Sequence, residues 1–134
     1  MSTELTFTML TALLAACLWI PYIVGVNSNE FEGQAESFVR PPDHRLMPAW
    51  VHRAHRAHLN LLEQFLPFAI IVVIGHLAGA ISGWFGILAI AFFALRCVHA
   101  VGMISGWTQM PLRPLIFTTG FGITIAYGVL VLLN

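Results

Sequence analysis

The chain has 134 residues, 58% of them hydrophobic and only 9% charged, and its basic and acidic residues cancel to zero net charge. A soluble domain carries roughly 25% charged residues, so too little polar surface is available here to coat a water-exposed globule. Neutrality also removes any electrostatic reason to expect a nucleic-acid partner.

The first apolar stretch, Leu5 to Val26, approaches the roughly 20 residues with which a helix crosses about 30 Å of hydrocarbon. It has no basic residue before it and outruns the apolar region of a signal peptide, so it is read as a retained helix. The polar stretch Asn27 to His58 follows, with Pro41-Pro42 as a helix breaker. A new helix is expected to start near Pro48, at a first-turn position that accepts proline. It runs through the His52–Asn60 region into a second span, Asn60 to Ile81. After a short turn comes a third span, Trp84 to Ile104. A connection at about Ser105 to Arg113, broken by Gly106 and Pro111, leads to a fourth, Leu115 to Leu133. None of these stretches alternates as barrel strands do. The expected fold is an all-α, integral, multi-pass membrane bundle of four helices, forming one domain over residues 1–134.

All the chain's basic side chains are arginines, and they are unevenly placed. Arg40, Arg45, Arg53 and Arg56 flank the first connection and Arg113 the third, while the second connection and both termini have none. The positive-inside rule puts connections 1 and 3 in the cytoplasm and both termini outside. Trp50, Trp84 and Trp107 fall near the expected interfaces. Gly75-x-x-x-Gly79 and Gly102-x-x-x-Gly106 have the spacing of close helix contacts. Cys17 and Cys97 lie within spans and read as small buried hydrophobes.

Two charges interrupt the apolar spans, Glu63 and Arg96. A charge at mid-bilayer costs about 2.5–3.5 kcal/mol and normally faces the bundle interior with a partner. Counting from the same membrane face, the two lie at similar depth, which predicts an ion pair. At 100° per residue, Arg53, Arg56, Asn60, Glu63 and Pro67 fall within an arc of roughly 80° and form one polar stripe. Arg96, His99 and Met103 share a face of the third helix, and Arg113 opens the fourth. Guanidiniums suit carboxylates, a carboxylate suits an amine, and arginines beside a thiol favour its thiolate. The alternative reading of the same residues is a salt-bridge network that locks the helices. His52, His55 and His58 lack a cysteine or carboxylate to complete a metal set, and His76 is expected to bond inside the bundle. No metal is assigned.

The segment Arg53-Ala54-His55-Arg56-Ala57-His58-Leu59-Asn60-Leu61-Leu62-Glu63-Gln64-Phe65-Leu66-Pro67 resembles the signature R-x-x-R-A-x-x-N-x-x-E-x-x-x-P. That signature belongs to the MAPEG superfamily, the membrane-associated proteins in eicosanoid and glutathione metabolism. Arg96-Cys97-Val98-His99 and Pro111-Leu112-Arg113 are similar to segments of its prostaglandin E synthase and glutathione transferase branch. The resemblance implies a homotrimer with glutathione held between subunits on the cytoplasmic side; the expected location is a bacterial inner (plasma) membrane. It places Arg53, Arg56, Asn60, Glu63, Arg96 and His99 at the glutathione site, with Arg96 bracing Glu63. Arg113 would stabilise the thiolate that attacks an electrophilic or peroxidic lipophile arriving from the lipid. Met103 stands where the eicosanoid enzymes have a tyrosine, and Pro114 where the prostaglandin synthase has a serine. The implied activity is a glutathione-dependent transferase or peroxidase; the alternative is a non-enzymatic lipid-binding or scaffold protein of the same fold.

Overall fold

Hydropathy is continuous through the first span, but Pro21 has no amide hydrogen and its ring crowds the carbonyl four residues back, that of Cys17. The helix breaks at that place. In the structure, a computed structural model describing residues 1–28, 39–40, 43–107 and 111–134, α1 covers Thr3–Cys17 and α2 covers Ile20–Ser28. Leu18 and Trp19 form the joint, and Ile23 N–H resumes the ladder on the Trp19 carbonyl at 3.1 Å. Pro21 then sits in the first turn of α2, where its missing donor is harmless. The Pro41-Pro42 break and the acidic residues Glu30, Glu32 and Glu36 lie outside the described residues.

After a 3₁₀ turn at His44–Leu46, α3 (Ala49–Leu77), α4 (Gly83–Ser105) and α5 (Leu112–Leu132) complete the described secondary structure. Counting α1 and α2 together, four helical segments among the described residues are long and apolar enough to cross a membrane. α3 starts at Pro48 as expected and, at 29 residues, is about 43 Å long. It therefore extends beyond the hydrocarbon at its arginine-bearing end. Both α3 and α4 close with a left-handed glycine, Gly79 at φ 72° and Gly106 at φ 98°. At the first, Ala80 N–H reaches the Gly75 carbonyl (3.0 Å); at the second, Trp107 N–H reaches that of Gly102 (2.7 Å). These are Schellman caps, so the spaced glycines serve helix ends. Only Gly75 also marks a tight contact, where a Cβ would stand 2.7 Å from Val131 Cγ2 of α5.

α1 packs on α4 and α3, and α5 packs on the other flank of the same α3–α4 pair. α2 packs on α3, with Gly25 pressed against Trp50 and Val51. Lipid tails are as apolar as leucine, so close packing and internal polar bonds, rather than escape from water, must hold these helices together. The packing is built on one stripe of α3: Val51, Ala54, Ala57, Leu61, Gln64, Phe68, Val72 and Gly75 recur every three or four residues and are buried. Its lower half packs small residues, Ala57 and Leu61 meeting Ala15, Leu18, Ala100 and Met103. Its upper half is an aromatic slab, in which Phe68 stacks on Phe92 at 4.0 Å and Phe85 on Tyr127 at 4.6 Å. The outward faces carry Leu13, Ile70, Ile74, Ile87 and Phe121, exposed as lipid-facing residues are. Two expectations change. Cys17 is exposed rather than buried, and His76 is exposed, its Nδ1 3.9 Å from a Glu4 carboxylate oxygen, rather than bonded inside the bundle.

Candidate functional site

The polar stripe of α3 divides when the helix is packed, because its residues straddle the edge of the buried face. Arg53 turns under the end of α4, donating from Nε to the Met103 carbonyl (3.0 Å) and from Nη2 to that of Ile104 (3.3 Å). A guanidinium at a helix C-terminus satisfies orphan carbonyls and opposes the helix dipole. Arg56, Glu63 and Pro67 face outward and are exposed, while Asn60 lies at the edge. The residue that turns inward beside Glu63 is Gln64, which is 7% exposed.

Arg96 is 1% exposed, yet Glu63 does not pair with it. Arg96 projects from the face of α4 that meets α5, whereas Glu63 leaves α3 on the outward side. The guanidinium instead donates from Nη2 to the Ile116 carbonyl of α5 (3.2 Å) and lies 5.3 Å over the Phe92 ring. Gln64 Nε2 donates to the next carbonyl, Phe117 (3.0 Å). Both side chains end over Gly120, occupying the space a Cβ would need. Arg96 Nε and Nη1, Gln64 Oε1 and Asn60 Oδ1 are buried without a hydrogen-bond partner among the described residues. Removing Glu63 and Arg96 together should therefore give additive losses. A double-mutant cycle of Glu63→Gln with Arg96→Leu, read as thermal stability in detergent, is expected to show coupling below about 0.5 kcal/mol. A coupling several times larger would put the two side chains in contact.

On the far side of Gly120's neighbours, a groove of about 370 Å³ opens between α3, α4 and α5, lined by Asn60, His99, Arg113, Pro114, Phe117 and Thr118. Phe117 also borders a second hollow of about 160 Å³, with Glu63, Gln64 and Pro67 on its wall. His99 is 4% exposed and Arg113 half-buried. Pro114 falls in the first turn of α5, where no intrahelical donor is lost, and Arg113 still lines the groove. Met103 is buried and brings no hydroxyl to this end. Of the expected site residues, Asn60, His99 and Arg113 come together in one groove and Glu63 lines the adjoining hollow. Arg96 stands behind them against α5, Arg53 is engaged by α4, and Arg56 faces outward. Gln64 and Gly120 were not singled out by sequence; their role appears only when α5 is docked. Among the described residues, no cluster of three or more His, Cys, Asp or Glu side chains is placed to hold a metal ion.

The groove has the volume of a small-molecule site and is lined by a cation, an imidazole and a side-chain amide. Neither a curated protein nor a solved structure matches the chain. The family model of the MAPEG family matches residues 6–133, nearly its whole length. With four apolar spans and this groove at one end of the bundle, the chain belongs to the MAPEG family of membrane proteins.

Proposed function

We propose that the protein is a glutathione-dependent transferase or peroxidase acting on lipophilic electrophiles or hydroperoxides, with residues 1–134 working as one unit. The observation that carries this reading is the convergence of Asn60, His99 and Arg113, from three different helices, on one groove at the arginine-rich end. Asn60 brings a side-chain amide to the ligand's polar ends, and His99 closes the groove wall. Bound glutathione supplies a thiol. Arg113, aided by the positive N-terminus of α5, favours its thiolate form. The electrophile enters from the lipid side, past Phe117 and Phe121. Positive-inside counting puts this end in the cytoplasm.

Glu63 and Arg56 support a homotrimer. Glu63 is exposed on a membrane-spanning face, where a charge costs about 2.5–3.5 kcal/mol. A neighbouring copy covering the α3 face relieves that cost and brings Arg56 and Glu63 to the same ligand. Native mass spectrometry in mild detergent should show trimers, and calorimetry should show glutathione binding. A stable monomer that binds no glutathione would overturn both. Met103 favours the second reading, a non-enzymatic lipid-binding member, because it removes a hydroxyl from this end. Glutathione binding without thiolate formation is the outcome that reading expects.

A further inference from the structure

Up to Cys17 the first span lies on α4; beyond the joint, α2 packs on α3 instead. The last two turns of α4 lose a neighbour on that side. They open as a wedge of about 430 Å³ between Leu14 of α1, Leu18 of the joint, and Cys97, Ala100, Val101 and Ile104 of α4. The wall is apolar, and the hydroxyl of Ser105 at its rim is already committed to the Val101 carbonyl at 2.7 Å. Eight residues of α4 separate Cys97 from Ser105, about 12 Å of rise. That is most of one leaflet of a roughly 30 Å hydrocarbon core.

Charge distinguishes one end of this wedge from the other. Arg53, bonded to the Met103 and Ile104 carbonyls, sets a half-buried guanidinium at the end of α4, where Ile104 borders the wedge. Trp107, 70% exposed, follows the end of α4 as an interfacial residue. An apolar slot of leaflet depth with a cation at its mouth matches an amphiphile with an anionic head. A second copy of the chain is the weaker fit. The polar groups that need a protein neighbour, Arg56 and Glu63, lie on α3 beside α5, and α5 and α1 flank the α3–α4 pair from opposite sides. We infer that the α1–α4 wedge holds one acyl chain of an anionic phospholipid, its phosphate at Arg53.

The probes are phosphatidylglycerol and phosphatidylcholine of identical chains, added to the detergent-purified protein and followed by native mass spectrometry. Phosphatidylglycerol should survive activation that strips phosphatidylcholine. Val101→Trp, at a 68% exposed position, should weaken its retention about tenfold, the effect of excluding roughly two methylenes. A measurement on the unaltered protein stands beside it. Phosphatidylglycerol should slow alkylation of Cys97 by N-ethylmaleimide and leave exposed Cys17 unaffected. Equal retention of both lipids, undiminished retention by the tryptophan variant, or no selective protection of Cys97 would overturn the assignment. Dissociation of the oligomer by Val101→Trp would give the wedge to a second copy of the chain instead.

Discussion

Gly120→Ala is expected to destabilise the protein by on the order of 3 kcal/mol, combining overpacking with disturbed buried hydrogen bonds. Gly122→Ala, two residues further, should cost nothing. A methyl at position 120 falls on the Arg96 guanidinium and the Gln64 amide, which cannot withdraw without releasing the Ile116 and Phe117 carbonyls. At position 122 a Cβ meets open space, and alanine is the better helix former by about 1 kcal/mol. The pair is a controlled comparison, since both changes fall in one helix and involve the same residues. Thermal unfolding in detergent reads it directly. Equal midpoints for the two variants would mean that Arg96 and Gln64 do not meet over Gly120.

Arg113→Ala should have the largest effect on chemistry. An unassisted thiol, with a pKa near 8.5, is only a few per cent thiolate at neutral pH. A guanidinium in the groove favours the anion, so the ultraviolet thiolate band of bound glutathione should titrate below that value in the unaltered protein. In Arg113→Ala it should move back toward about 8.5, with turnover falling ~10²–10³-fold, as when one preorganised donor is lost. Arg113→Lys should keep part of the shift. Arg56→Ala and Glu63→Gln should chiefly weaken glutathione affinity. A thiolate titration unchanged by Arg113→Ala would remove Arg113 from the activating role while leaving glutathione binding intact.

The four spans were legible because hydropathy and helix length are both local properties. The start of α3 was legible too, from Pro48, although the apolar run begins only near Asn60. The joint at Leu18–Trp19 was not, since hydropathy runs straight through it and Pro21 signals a break only once its missing hydrogen bond is considered. The Glu63–Arg96 pair failed for a different reason. Equal depth fixes a position along the helix axes but not around them, and one residue's rotation, 100°, gave the inward place to Gln64. Asn60, His99 and Arg113 could be grouped from sequence because each is a polar residue in the half of its helix nearest the arginine-rich end, and the three line one groove. Gly120 carries no signal in sequence: its need arises from two side chains more than twenty residues away. The spaced glycines show the converse case, a pattern suggestive of helix contact that mostly serves to end helices.

The carbonyls that hold Arg96 and Gln64 both belong to α5, and this sets an order on biogenesis. Chains are made from the N-terminus, so α3 and α4, joined by a tight reversal, enter the bilayer ahead of Ile116 and Phe117. During that interval the Arg96 guanidinium has neither a carboxylate nor the Ile116 carbonyl beside it. The helix made after α3 and α4 is thus the one that satisfies their buried polar groups. A chain stopped ahead of α5 is an inserted intermediate with an unsatisfied cation on its surface, the kind of feature by which membrane quality control can distinguish an unfinished bundle from a finished one.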